Sequence, residues 1–368
     1  MAGREQGSVL RPPAQGRKGR VEERAWSRAL PQAICGVNTA AGKRVMVTGG
    51  CGFIGGHLVR ALLAQGHEIL NVDKLTYAAD ASLIDEFGAS GRHRFFRADI
   101  ADADAMRLAV ADFQPEWIFH TAAESHVDRS IEDPLDFLRT NLLGTGVLLE
   151  ATRHMGGGNF RFIHVSTDEV YGSLGEEGTF DETSAYAPRS PYSASKAGSD
   201  HLVRAWHETY GLPAIVTHCG NNYGTGQHPE KLIPLAISRG LAGMEIPVYG
   251  SGAQVRDWIH VEDHVAALLA VAERGKIGET YDIGARDEWR NIDLVRAICC
   301  ELDAIRKGAF PGGHASLIRH VGDRPGHDFR YALDPGKIER ELSWKARGRL
   351  AESLPGLILS ALAGISPP

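Results

Sequence analysis

The feature that most constrains this chain is the run Val45-Met46-Val47-Thr48-Gly49-Gly50-Cys51-Gly52-Phe53-Ile54-Gly55. An apolar, β-branched stretch meets Gly-x-x-Gly-x-x-Gly, and a helix-compatible stretch follows. That order calls for a strand, a tight turn and a helix N-terminus in direct succession. With glycine at 49, 52 and 55 the backbone can come close to a pyrophosphate, which the N–H groups of a helix opening near Phe53 can receive. A second apolar run, Glu68-Ile69-Leu70-Asn71-Val72, ends in Asp73, 18 residues after Gly55. An acid at the tip of the second strand is placed to bond the ribose 2′-hydroxyl of NAD and to repel a 2′-phosphate.

The rest of the chain fits a large α/β protein. Its 368 residues, 43 % hydrophobic, suffice for one large or two modest domains. A net charge of -6 argues against a nucleic-acid partner, and no apolar run is long enough to span a membrane. Cys35, Cys51, Cys219, Cys299 and Cys300 contain no Cys-x-x-Cys and suggest a reducing, cytoplasmic compartment. The histidines show no zinc-ligand spacing, so no metal is expected. Residues 1–42 carry seven Arg/Lys against three Glu and read as a disordered leader or an upstream start.

From Lys43 strands and helices alternate. Strands are expected at 43–48, 68–72, 93–98, 117–120, 160–166 and 213–218, and helices at 53–65, 102–113, 134–154 and 190–210. This spacing predicts a parallel, doubly wound sheet over 43–220. Residues 221–350 read mainly as a smaller α/β substrate-binding lobe, with segments near 260–285 returning to the first domain. Pro355 and Gly356 in the tail 351–368 are expected to break any closing helix.

Three stretches can carry chemistry. Tyr192 and Lys196 stand four apart on one helix face, where an ammonium would lower the tyrosine pKa and make it a usable base. Thr167-Asp168-Glu169 follow the strand Phe162-Ile163-His164-Val165 at its carboxyl end, the side that faces the crevice in such sheets. Spacing alone leaves an acid/base pair and a turn cap equally open. The third set lies in later loops, where Arg256 and Arg324 could clamp a diphosphate.

These stretches, with Asp73-Lys74-Leu75-Thr76-Tyr77, Ala122-Ala123-Glu124-Ser125-His126, Asn221-Asn222-Tyr223-Gly224, Gln254-Val255-Arg256-Asp257-Trp258 and Asp323-Arg324-Pro325-Gly326-His327, resemble the extended short-chain dehydrogenase/reductases. Within them the resemblance is to the dTDP-glucose 4,6-dehydratases, over about residues 43–345. It implies a Rossmann domain that binds NAD, a nucleotide-sugar substrate and a homodimer formed through helices 102–113 and 134–154.

The resemblance implies that Tyr192 deprotonates the 4-hydroxyl and that Lys196 holds the nicotinamide ribose and keeps the tyrosine acidic. It implies that Thr167 bonds the 4-oxygen, Glu169 removes the C5 proton and Asp168 protonates the departing 6-hydroxyl. The cofactor contacts implied are Gly49, Gly52, Phe53, Ile54, Gly55, Asp73, Lys74, Thr76, Asp99, Ile100, Ala122, Ser125, Thr140, Tyr192, Lys196 and Asn222. For the substrate they are Ser125, Thr167, Asn221, Lys231, Leu232, Tyr249, Arg256, Asn291, Asp323, Arg324 and His327. Arg256 is expected on the diphosphate and Tyr249 on the base. His218-Cys219-Gly220 and Thr225-Gly226 depart from the usual pattern. The competing readings are a dehydratase for a UDP-, CDP- or GDP-hexose, a sugar-nucleotide 4-epimerase, and a catalytically silent NAD binder.

Overall fold

The central residues of the first two strands, 45–47 and 69–72, are buried on both faces because both faces of their sheet are covered. The computed structural model describes residues 42–155 and 160–364. Apart from Gly42, the expected leader lies outside the described residues.

The first half of the sheet is β1 (Arg44–Thr48), α1 (Phe53–Ala64), β2 (Glu68–Asp73), α2 (Ser82–Gly88), β3 (His93–Arg97), α3 (Ala103–Phe113) and β4 (Trp117–His120). There follow α4 (Val127–Glu132), α5 (Pro134–Phe137), a π-helical stretch Leu138–Gly144 and α6 (Thr145–Arg153). Next come β5 (Arg161–Thr167), a 3₁₀ turn Asp168–Tyr171, α7 (Pro191–Tyr210) and β6 (Ala214–Cys219). The sheet order is β10-β6-β5-β4-β1-β2-β3, with every pairing parallel. Its β10 (Thr280–Ile283) arrives late in the chain, after β7 (Asn221–Tyr223), α8 (Leu232–Ala242), β8 (Ile246–Tyr249), β9 (Val255–His260) and α9 (Val261–Arg274). The chain winds outward from β1 through β3 and then crosses back to place β4 on the other side of β1. The crevice for a ligand opens at that reversal, at the carboxyl ends of the strands.

Pleating sorts the core. Val45 and Val47 pack on one face with Leu58, Leu62, Val265 and Leu268. Met46 between them packs on the other with Met106, Ile118, Leu148 and Phe162. The late elements β11 (Glu288–Arg290), α10 (Asn291–Ile305), β12 (Ile318–Val321), α11 (Gly336–Leu342) and α12 (Leu350–Gly364) complete the fold. A third cluster joins α8, α10 and α12 through Ile237, Leu241, Ile298, Leu302 and Leu354.

Two expectations are corrected here. The single helix expected at 134–154 is interrupted by the π-helical stretch Leu138–Gly144, a form common at functional sites. The tail is not broken at Pro355, because α12 runs through it. The carbonyl that loses its N–H partner is that of Ala351, which is exposed to water, and Gly356 is exposed too. Leu350, Leu354 and Ile358, one turn apart, are buried in the third cluster. Burial of about 1.5–3 kcal/mol per side chain offsets the cost of the proline.

Candidate active site

The glycine turn forms one end of the cleft. Gly49 has φ +75°, and a Cβ there would lie 2.7 Å from the Ala122 backbone. A Cβ on Gly55 would lie 2.1 Å from the Gly49 carbonyl oxygen. The turn is therefore closed to any larger residue. Helix α1 begins at Gly52 without a side-chain cap, so its first-turn N–H groups at Phe53, Ile54 and Gly55 have no intrahelical partner. Asp73 ends β2 with Oδ2 accepting the Cys51 N–H at 3.0 Å and Oδ1 accepting the Leu75 N–H at 2.8 Å. That carboxylate braces the loop and still presents free lone pairs to the cleft it lines. Lys74 donates to the Thr140 hydroxyl at 3.1 Å from the opposite wall. Uncapped helical donors, a turn with no room for a Cβ and an acid on the second strand fit a dinucleotide.

The other end of the cleft is made of side chains. Tyr192 and Lys196 lie on α7, whose start is fixed by a Ser190–Ser193 capping box and Pro191 in its first turn. Lys196 Nζ donates to the Val165 carbonyl at 2.8 Å. Thr167 ends β5, and its hydroxyl caps the turn by accepting the Glu169 N–H at 3.3 Å. It also donates to Asp168 Oδ1 at 3.2 Å. Asp168 Oδ2 is buried with no partner. The two roles that spacing left open are thus both present: Thr167 caps, and the acids line the cleft.

Electrostatics separates the groups. Burial, then the charge of Glu169, pushes Asp168 well above the usual carboxylate range, so it holds its proton. Burial also raises Glu169, but Arg324, Arg256 and Lys231 pull it back toward the charged form. Two neighbouring acids therefore differ in what they can do. The expected lowering of the Tyr192 pKa is not found. Burial and the Glu169 carboxylate push it up, and the Lys196 ammonium is engaged with Val165.

Most of the expected residues meet in this one cleft. Gly49, Gly52, Phe53, Ile54, Gly55, Asp73, Lys74, Thr76, Ile100, Ala122, Ser125 and Thr140 line it with Thr167, Asp168, Glu169, Tyr192, Lys196, Asn221, Asn222 and Lys231. Others stand apart. Asp99 turns its carboxylate to the Ala101 N–H at 2.9 Å, and Leu232 packs against the third cluster. Arg256 is nearly buried, bonds the Val255 and Asp328 carbonyls at 2.7 and 3.0 Å and lies 4.3 Å over the Tyr331 ring. Tyr249 donates to Asp128 Oδ2 at 3.1 Å, and Arg324 reaches the same carboxylate at 3.4 Å. Arg324 Nε is buried without a partner. Asp323 holds His327 at 2.6 Å and accepts from Gln254 at 3.0 Å. Asn291 opens α10 with its side-chain oxygen unpartnered.

No sequence motif announces a charged and aromatic group at the rim of the cleft, where Tyr77, His126 and Glu230 line it. Glu230 takes Arg129 at 2.5 Å and lies 3.4 Å from His126, and Arg129 stacks 3.8 Å from the Tyr77 ring. Tyr77, Arg129 and Glu230 come from three separate loops or helices, so no local pattern announces them. Among the described residues there is no cluster of side chains fit to hold a metal ion, and no helix is long and apolar enough to cross a membrane.

Comparison with known proteins agrees with this geometry. The family model described as GDP-mannose 4,6 dehydratase matches residues 46–355. The dTDP-glucose 4,6-dehydratase 1 of Escherichia coli K12 is 51 % identical over 319 residues, covering 82 % of this chain and 88 % of its own. A probable dTDP-glucose 4,6-dehydratase of Sinorhizobium fredii is 50 % identical over 311 residues, covering 83 % and 88 %. The crystal structure of the dTDP-glucose 4,6-dehydratase of Streptomyces venezuelae, with NAD bound, superposes with a TM-score of 0.81 at 44 % identity, covering 87 % of this chain and 97 % of that one. Fold and cleft together define an extended short-chain dehydrogenase/reductase. Within that class, the chain belongs to the dTDP-glucose 4,6-dehydratase family.

Proposed function

We propose that this chain catalyses the NAD-dependent, redox-neutral conversion of dTDP-glucose to dTDP-4-keto-6-deoxyglucose and water. The observation that carries the reading is the pair Asp168 and Glu169 at the end of β5, the first raised well above the usual carboxylate range and the second raised by burial that Arg324, Arg256 and Lys231 partly offset, in the cleft with Tyr192 and Lys196. An epimerase needs only the tyrosine and lysine; two more proton transfers need two more groups.

NAD, when bound, supplies a reversible hydride acceptor, so that C4 is oxidised first and C6 is reduced last with no net redox change. Tyr192 would take the proton of the sugar 4-hydroxyl as C4 becomes a ketone, with Thr167 beside it to bond the 4-oxygen. For this role the cationic nicotinamide of bound NAD⁺ would have to offset the burial and the Glu169 charge that raise the tyrosine pKa. The ketone acidifies the C5 hydrogen, which Glu169 removes as a proton and gives back to C5 when C6 is reduced. The C6–oxygen bond breaks as Asp168 gives its proton to the departing hydroxyl, which leaves as water. Lys231, Arg256 and Arg324 keep Glu169 ionisable despite its burial. Arg324, with its unpartnered buried Nε, is the better candidate for the diphosphate, since Arg256 is already held by two carbonyls.

The test is product analysis with NAD⁺ and, separately, dTDP-glucose, UDP-glucose, CDP-glucose and GDP-mannose. A 4-keto-6-deoxy product from dTDP-glucose, with no net reduced cofactor, is the expected result. A product only from another nucleotide would move the base assignment, and a galactose-configured product would replace the reading with epimerisation.

We further infer a homodimer. Leu138, Leu142, Leu143, Leu202 and Trp206 line an apolar groove on the outer face of the π-helical stretch, α6 and α7. Leu143 is 54 % exposed, and Leu108 on α3 is 62 % exposed. An exposed apolar face of this kind suits a two-fold pair with a second copy of the chain. Leu143→Glu should yield a monomer by light scattering; an unchanged mass would refute this interface. The free thiols Cys51, Cys219, Cys299 and Cys300 support a cytoplasmic location.

A further inference from the structure

Behind the reaction end of the cleft lies a buried polar cluster that the mechanism above does not use. His218, on β6, has no exposed surface, and neither do Asp200 on α7 or Asp282 on β10. His218 Nε2 lies 3.1 Å from Asp200 Oδ2, and Nδ1 lies 2.9 Å from Asp282 Oδ1. Two tyrosine hydroxyls close the ring of contacts. Tyr171 donates to Asp282 at 3.0 Å and lies 2.9 Å from Nδ1. Tyr186 donates to Asp200 at 2.9 Å and lies 2.8 Å from Nε2. Two carboxylates with no access to water need a counter-charge, and the imidazole between them is the one side chain that reaches both. Burial opposes its charge, but the hydrogen bonds to Asp200 and Asp282 outweigh burial and hold it at about 9.

The cluster grips the catalytic turn from both sides. Ser166, just before Thr167, donates to Asp200 Oδ2 at 3.0 Å. Tyr171 is the last residue of the turn that carries Asp168 and Glu169. Asp200 itself stands four residues beyond Lys196 on α7, on the same helix face. The strand end that leads into the turn is tied directly to α7 by Ser166 and Asp200, and the far end of the turn is tied to α7 through Tyr171, Asp282, His218 and Asp200. Tyr192 and Lys196 have independent supports in the α7 capping box and the Val165 carbonyl. The other supports of the turn that carries the acids are uncharged: the Thr167 cap, the Ala187 N–H on the Val170 carbonyl at 3.0 Å, and the packing of Val170 and Tyr171 with Ala197 of α7.

We propose that His218, as a cation between Asp200 and Asp282, is a positioning residue that fixes the Asp168–Glu169 turn against α7, so that elimination depends on it more than oxidation does. This rests on the dehydratase reading given above. A misplacement of the turn slows only the step that needs both carboxylates aligned on C5 and C6, while proton removal by Tyr192 continues.

The experiment compares wild type, His218→Asn, His218→Asn with Asp282→Asn, and Tyr171→Phe, each purified and saturated with NAD⁺. His218→Asn should lower kcat about 10- to 100-fold, the range expected for a small misplacement of reacting groups. KM for dTDP-glucose should stay within about threefold, and reduced nicotinamide should build up in single turnover as the oxidised sugar waits for elimination. The double variant removes the carboxylate left unpaired and keeps a hydrogen bond, so it should recover most of kcat. If His218→Asn does not fold, Tyr171→Phe should show the same signature more weakly. Unchanged kcat, or a loss that follows the unfolded fraction with no build-up of reduced nicotinamide, would overturn the role of His218. A wild-type enzyme that dehydrates no nucleotide sugar would instead overturn the reading on which it rests.

Discussion

The two ends of the cleft are built from different materials. At the dinucleotide end the backbone does the work. Gly49 and Gly55 leave no room for a Cβ, and α1 offers uncapped N–H groups. At the reaction end the work is done by buried, charge-balanced side chains: Asp168, Glu169, Tyr192, Lys196 and the cations around them. The first end should fail when an atom is added. The second should fail when a charge is changed, even where shape is kept.

The sharpest break is Glu169→Gln, which keeps the shape and removes the base. It should cost about 10²–10⁴ in turnover, while Tyr192-dependent oxidation survives as a build-up of reduced nicotinamide. Retention of full turnover would place the C5 base elsewhere. Gly55→Ala makes the complementary test at the other end. Its Cβ would lie 2.1 Å from the Gly49 carbonyl, so stability should fall by about 1–3 kcal/mol and NAD titration should show weakened binding. Gly88→Ala, at a glycine with no neighbour within 4 Å of the added Cβ, is the control and should be close to neutral.

A change of pH reaches the reaction end through His218 and Asp168. His218 in the folded protein titrates at about 9, above its ordinary 6.5. A raised pKa means that its contribution to stability is complete below about 6.5 and is lost as pH climbs through about 9. Melting temperature should therefore fall in that window, and His218→Asn should flatten the fall. Asp200, Asp282, Tyr171, Tyr186 and, through Asp200, His164 surround the ring, and the tyrosines stay protonated because burial raises them. Turnover should also decline toward alkaline pH as Asp168 loses the proton it must donate.

The smallest effect belongs to the Arg129–Glu230 pair beside the cleft. Glu230→Gln weakens the pair with Arg129, which is exposed to water and screened by it. NAD release, followed by dilution into a scavenger, should quicken no more than about fivefold. A larger effect would make Glu230 a principal element of cofactor retention.

The contrast also explains what could be read from the residues alone. The glycine turn, Asp73, the strand series and Tyr192 with Lys196 are local patterns, fixed by what a turn or one helix face demands. The reaction end depends on what surrounds each group. Tyr192 looked acidic beside Lys196, but Lys196 is bonded to a strand carbonyl that adjacency along a helix does not reveal. Arg256 looked like a free anion clamp, but some of its donors already bond backbone carbonyls and its plane lies over a tyrosine ring. His218 and Asp282 are 64 residues apart and meet only because β10 pairs with β6. Pro355 reads as a helix breaker until the side facing water is known.

The late arrival of β10 sets an order for making the molecule. A chain emerging from the ribosome can lay down β1 to β6 from its first 219 residues, glycine turn included. Its β6 edge then stays unpaired until Thr280–Ile283 is synthesised, after β7, α8, β8, β9 and α9. Asp282 comes with that strand, so until then His218 and Asp200 lack their third partner. A nascent chain should thus gain the shape of a dinucleotide binder well before its catalytic turn is locked. During that interval the open sheet edge is its main exposure to wrong pairing.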